Sequence, residues 1–255
     1  EYEMEVVRDR ADNAIIICPG VAATIDADDV ASQADRIAGA KVFMTQLEQP
    51  QEAALHGLSL ASAAGVATIL NPAPAADIPD VMVALCDYLT PNETELAELT
   101  GLPVADRDGA EVAARRLLDR GVRRAVIVTL GENGCLWVDR DGAFHVPAAD
   151  AGRVVETTGA GDAFNGGFAV ALCEGMEPEA ALRFANATAA ISVTRPTAAQ
   201  ASSGPRSPKR SRPAAGSHFA LREPVQWDSM IGTIPSSTSA PPGRAPMPTR
   251  MGRSH

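Results

Sequence analysis

The 255-residue chain lacks any apolar run near the roughly 18 residues that cross a bilayer, so no transmembrane helix is expected. Cysteine is scarce. Cys18, Cys86, Cys135 and Cys173 are scattered, without a C-x-x-C pair, which excludes a dense disulfide framework and points to a reduced, cytoplasmic protein. Basic residues are few, 22 Lys+Arg against 32 Asp+Glu, and a net charge of -10 excludes nucleic acid as the main partner. The start, Glu1-Tyr2-Glu3-Met4-Glu5, lacks the basic-then-apolar pattern of a signal peptide, and none is expected.

The acidity is unevenly spread. Residues 1–196 carry 14 Lys+Arg against 30 Asp+Glu, whereas the last 59 residues carry 8 basic residues, 9 prolines, 10 serines and only Glu223 and Asp228 as acids. This tail shows no apolar periodicity and reads as disordered, solvated chain, because it has too little apolar surface to offset its ordering entropy. The expected division is therefore a domain over 1–196 and a tail over 197–255.

Within the domain, β-branched runs alternate with helical patterns. Strands are expected at 14–18, 41–45, 66–70, 86–90 and 124–130, with a hairpin of 135–138 and 143–146 around Asp141-Gly142. Helices are expected at 27–39 behind an Asp26 N-cap, at 51–64, at 93–100, at 108–120 with Val112, Leu117 and Leu118 on the apolar side, and from 160 to about 174. Such alternation implies a mainly parallel sheet covered by helices on both faces. Ligands then sit beyond the carboxyl ends of the strands, at the turns after Thr45, Leu70, Thr90 and Leu130.

One segment carries distinctive chemistry. Residues 156–168 read Glu-Thr-Thr-Gly-Ala-Gly-Asp-Ala-Phe-Asn-Gly-Gly-Phe, with Gly159, Ala160 and Gly161 leading into a helix. Small residues there let backbone N–H groups point outward at the positive end of the helix, forming an anion hole. Asp162 at its rim is placed to take a proton from an attacking hydroxyl. No Lys-Ser/Thr follows the glycines, so this is not a P-loop, and the third glycine of a dinucleotide fingerprint is missing. The plain alternative is a glycine-rich turn before a core helix, with Asp162 as an acid favouring the helix dipole.

Thr-Thr-Gly-Ala-Gly-Asp-Ala-Phe-Asn-Gly-Gly closely resembles the C-terminal signature of the ribokinase-like (PfkB) carbohydrate kinases. Four further stretches fit the family in order and spacing: Asn71-Pro72-Ala73-Pro74, Thr90-Pro91-Asn92-Glu93-Thr94-Glu95, Thr129-Leu130-Gly131-Glu132-Asn133-Gly134, and Arg183-Phe184-Ala185-Asn186-Ala187 with Ser192-Val193-Thr194-Arg195. Together they extend the resemblance from near residue 12 to residue 196.

The resemblance implies a three-layer αβα fold and ATP-dependent phosphorylation of the primary 5-hydroxyl of ribose, with ATP and sugar as partners. On that reading Asp162 is the base, and the N–H groups of Gly159, Ala160, Gly161 and Asp162 hold the transferring phosphoryl group. Asn92 and Glu95 orient the nucleotide phosphates and, through water, Mg²⁺. Thr129, Leu130, Gly131, Glu132, Asn133 and Gly134 lie along the nucleotide, and Asn186 lies near the adenine. Glu48 and Asp162 contact the sugar. Glu156, Thr158, Ser192 and Arg195 match a monovalent cation site for K⁺, although Glu156 replaces the usual Asp and Thr197 the usual Gly. Without the family, Asn92 and Glu95 read as an N-cap and a surface helix acid, and Glu48 as an ordinary loop carboxylate.

The match begins inside the family's chain, so the N-terminal strands, the lid and any homodimer formed through a lid sheet are expected to belong to sequence not present here. The charge reversal at Pro196 reads as out-of-frame translation. Two alternatives stay open: a non-catalytic nucleotide-binding remnant, and a related kinase of fructose, fructose phosphate or a nucleoside.

Overall fold

A computed structural model describes residues 20–195. The expected strand at 14–18, Cys18, Thr197 and the 197–255 tail lie outside the described residues. Inside them runs the order α1 (Ala27–Ala31), α2 (Ala34–Ala38), β1 (Val42–Thr45), α3 (Gln51–Ala63), β2 (Ala67–Leu70), α4 (Asp80–Val83), β3 (Tyr88–Leu89), α5 (Glu93–Thr100), α6 (Arg107–Asp119), β4 (Ala125–Thr129), β5 (Cys135–Asp139), β6 (Ala143–Val146), α7 (Ala160–Cys173) and α8 (Pro178–Ser192). The strands form one sheet in sequence order. β1 to β4 are parallel, and β5 and β6 add an antiparallel hairpin.

Alternation along the strands sends successive side chains to opposite faces. Leu70, Leu89, Val126 and Val128 pack with Leu58 of α3, Leu96 of α5 and Leu117 of α6. Ile69, Tyr88, Ile127 and Trp137 face the other way, onto Phe164 and Phe168 of α7 and Leu182 of α8. Tyr88 meets Phe168 edge-on, with ring centroids 5.2 Å apart. The three-layer, mainly parallel architecture is therefore the one expected. Among the described residues no helix is long and apolar enough to cross a membrane.

Three expectations need correction. The helix over 27–39 is two short helices. Asp26 caps the first, accepting from Asp29 N at 2.9 Å, but the Ser32 hydroxyl donates back to the Asp29 carbonyl at 2.6 Å and competes with helix continuation. Val112 is 62% exposed, because the buried face of α6 follows Ala110, Ala113, Ala114, Leu117 and Leu118, and Val112 lies outside that spacing. The strand over 86–90 shrinks to Tyr88–Leu89, since the Asp87 carboxylate, rather than a backbone carbonyl, accepts from Thr68 N at 3.0 Å.

Burial also sets the cysteine chemistry. It pushes the thiols of Cys86 and Cys135 up to about 12, so both stay protonated at neutral pH. In the native chain treated with a maleimide at neutral pH, peptide mass mapping should find Cys86 and Cys135 unmodified until denaturant is added. Labelling of either at native rates would contradict this packing.

Candidate active site

Polar residues stand just beyond the parallel strands, where backbone pairing ends and their hydrogen bonds must be made elsewhere. Gln46 follows β1, Asn71 follows β2 and Thr90 follows β3. Gln46 Nε2 reaches Asn71 Oδ1 at 3.4 Å and Asp162 Oδ1 at 2.8 Å. Asn71 Nδ2 donates to the Thr90 carbonyl at 2.9 Å, and the Thr90 hydroxyl donates to Asn165 Oδ1 at 2.7 Å. Asn165 Nδ2 returns to the Gly161 carbonyl at 3.0 Å. These bonds form a closed ring joining three strand ends to the first turn of α7. Asn71, Thr90 and Asn165 are buried, and the Asn71–Thr90 and Thr90–Asn165 bonds are made away from water, while the Gln46–Asp162 bond lies at the exposed edge of the ring.

The ring fixes the start of α7. Gly159 is its N-cap at φ 80, a left-handed conformation that suits glycine, and a Cβ on Gly161 would meet open space. The first N–H groups of a helix have no partner within it; here Ala160 N donates back to the Thr157 carbonyl at 3.1 Å, in the turn that leads into the helix. Asp162 is exposed at its rim. In front lies a pocket of about 340 Å³ lined by Met44, Thr45, Gln46, Gln49, Asn71, Asp162 and Asn165. Glu48 is exposed and is not among these lining residues; Gln46 and Gln49 of the same loop are.

A second group assembles beside it, at the end of β4. Asn92 bridges Thr129 in parallel, and Thr129 N donates to the Pro91 carbonyl at 3.0 Å. Gly131–Asn133 form a single tight turn closed by Leu130 N to the Gly134 carbonyl at 2.8 Å. Gly134 has φ 90, and a Cβ there would fall 2.2 Å from the Val146 carbonyl, so the backbone approach admits only glycine. Leu130 is buried beneath the turn, while Glu132 and Asn133 are exposed along it. Asn186 is buried and donates its amide to the carbonyls of Pro147 at 3.0 Å and Val146 at 3.3 Å, fastening the exit of β6 to α8.

Asn92 and Glu95 form a reciprocal capping box on α5. Glu95 N donates to Asn92 Oδ1 at 2.8 Å, and Asn92 N and Nδ2 each donate to a Glu95 oxygen at 2.9 Å. Glu95 is only 8% exposed, and that burial raises its carboxyl above the ordinary range against the opposing bond from Asn92 N. It is thus an internal acid rather than a surface one. Elsewhere, Thr158 donates to Glu156 at 2.8 Å. The N–H groups of Val155 and Glu156 share the Val193 carbonyl, and Arg195 N donates to the Ser192 carbonyl at 3.2 Å. The four residues of the expected cation site therefore gather at the end of α8. Among the described residues no group of three or more His, Cys, Asp or Glu could hold a metal by itself.

This arrangement can be set beside known proteins. Residues 3–203 match the model of the pfkB family carbohydrate kinases, somewhat beyond the span of the motifs at both ends. The chain belongs to this family. Deoxyribokinase of Salmonella typhi is 40% identical over 189 residues, 74% of this chain and 61% of that protein. Ribokinase of Haemophilus influenzae is 38% identical over 185 residues, 72% of this chain and 60% of that protein. The solved structure of Arabidopsis thaliana ribokinase complexed with ribose and ATP matches with a TM-score of 0.67 at 32% identity, covering 73% of this chain and 61% of that one. The chain thus spans about three fifths of the length of these pfkB family relatives.

Asn71, Thr90 and Asn165 belong to the motifs quoted above without a role of their own there, and Gln46 and Gln49 stand outside those motifs. A usable signal was present for two of them, since Asn71 and Thr90 are each a polar residue between an apolar strand and a proline. Replacing Thr90 by Val keeps its shape but leaves Asn165 Oδ1 without its buried donor, at a cost of about 1–3 kcal/mol. Thermal unfolding should show a drop of several degrees, while Thr194→Val, which removes only an exposed hydroxyl bond, should melt like the parent. Equal melting of all three would contradict the ring.

Proposed function

We propose that this pfkB family chain carries out ATP-dependent phosphorylation of the primary 5-hydroxyl of a pentose, ribose first. The observation that carries the reading is Asp162, a carboxylate at the rim of the Gly159 turn and in the wall of an amide-lined pocket. A pocket of about 340 Å³ suits a small ligand, and the side chains of Gln46, Gln49 and Asn71 can pair with sugar hydroxyls. The ribokinase of Arabidopsis thaliana solved with ribose and ATP supports both substrates. A second reading, 2-deoxyribose as acceptor, is favoured by the identity to Salmonella deoxyribokinase.

In this mechanism Asp162 accepts the proton of the attacking hydroxyl, and the N–H groups of Gly159, Gly161 and Asp162 hold the transferring phosphoryl oxygens, Ala160 N being engaged by the Thr157 carbonyl. Phosphoryl transfer asks the protein mainly for position and charge stabilisation, which backbone groups on a fixed helix end supply. The turn from Thr129 to Gly134 lies along the nucleotide, and Asn186 shapes the adenine end by holding Val146 and Pro147. Glu48, exposed on the loop between Gln46 and Gln49, would contact the sugar. Both Glu95 oxygens already accept from Asn92, an arrangement that fits contact with Mg²⁺ through water, Asn92 and Glu95 being the residues that would hold it. Bound with ATP, that ion would neutralise charge on the phosphates. The oxygens of Glu156, Thr158, Ser192 and Arg195 would hold K⁺. The protein acts in the cytoplasm.

Asp162→Asn should lower ribose-dependent ADP release roughly 10²- to 10⁴-fold while calorimetry finds binding of an ATP analogue unchanged. Turnover that survives the substitution would refute Asp162 as the base. Analogue binding by the parent chain without sugar-dependent turnover would favour the nucleotide-binding remnant.

A further inference from the structure

Beyond the sugar contact proposed for it above, Gln46 is the neighbour of the carboxylate proposed as the base. Its amide polarity is set from behind. Asn71 Nδ2 is engaged by the Thr90 carbonyl at 2.9 Å, which leaves Asn71 Oδ1 facing Gln46. An oxygen there can only accept, so Gln46 presents its NH₂ group. That group has two hydrogens, one for Asn71 and one for Asp162 Oδ1, 2.8 Å away. The backbone of Gln46 is held as well, since its carbonyl accepts from Gln49 Nε2 at 2.7 Å and Gln49 Nε2 also lies 2.6 Å from Thr45 Oγ1. The other carboxylate oxygen, Asp162 Oδ2, lies toward the Gly159 turn, 3.9 Å from where a Gly159 Cβ would stand.

We infer that Gln46 is a positioning residue for Asp162. It holds Oδ1 and so leaves Oδ2 turned to the anion-binding turn, where the sugar hydroxyl and the phosphoryl group would meet. An aspartate in the first turn of a helix otherwise has local N–H groups to turn toward, and the bond from Gln46 opposes that. The amide ring thereby passes the orientation of Thr90 and Asn71, set by the sheet, to the reacting oxygen. This role rests on the proposed phosphoryl transfer, but the contact behind it can be tested without turnover.

In the ¹⁵N-labelled chain, the side-chain amide signals of Gln46 are followed by NMR while the pH falls from about 7 to about 3, across the carboxylate range. They should move with one titration in the parent and stay still in Asp162→Asn. Signals that do not move in the parent, or that move alike in both proteins, overturn the inference. In the kinase assay, Gln46→Leu should lower kcat roughly ten- to a hundredfold, the loss of one hydrogen bond to a charged group, with the KM for ATP unchanged. A kcat equal to the parent's also overturns it. A parent chain without turnover counts against the proposed function, and the amide titration still decides the role of Gln46.

Discussion

The rest of the site depends on the hydrogen-bonded ring that runs from Gln46 through Asn71, Thr90 and Asn165 to Gly161 and Asp162. A parallel sheet ends in unpaired polar groups, and burying them without partners costs more than any single contact returns. Here the groups beyond three strands satisfy one another and the first turn of α7. Shape follows from that requirement. The helix cannot slide along the sheet without breaking buried bonds, so its N-terminus stays over the strand ends while Phe164 and Phe168 fill the layer below.

The exit of β3 couples the two halves of the site. Thr90 belongs to the ring, and Asn92, two residues on, bridges to Thr129 and caps α5 with Glu95. The intervening Pro91 carbonyl accepts from Thr129 N. One short segment therefore sets the spacing between the Asp162 pocket and the turn from Thr129 to Gly134. For the proposed phosphoryl transfer, a reaction governed by alignment, that spacing matters as much as any side chain. Glu95 and Asn186 contribute in the same manner. Each is buried and engaged with backbone, holding a loop in place.

The architecture was readable from residue patterns because the β4 run Ala125–Thr129 is apolar on both faces, and because the Gly159 turn leads straight into a helix. Other features depend on tertiary contacts that no local pattern records. Ser32 breaks the first helix through its own back-bond, Asp87 shortens β3 with its carboxylate, and Val112 misses the buried face by a rotation about α6. The loop after β1 shows the same limit. Strand alternation stops at Thr45, the chain bends through 47–49, and Gln46 and Gln49 line the pocket while Glu48 stays exposed. Side-chain direction after a strand is decided by the bend, which the motif Gln-Leu-Glu does not reveal.

The central claim is that Asp162 and the Gly159 turn together move a phosphoryl group onto a sugar rather than onto water. Phosphorus NMR of the chain with ATP, magnesium and ribose tests it directly. A phosphomonoester signal coupled to the C5 methylene protons should grow in step with ADP. Growth of inorganic phosphate in its place, or a spectrum unchanged by ribose while nucleotide is bound, would contradict the account.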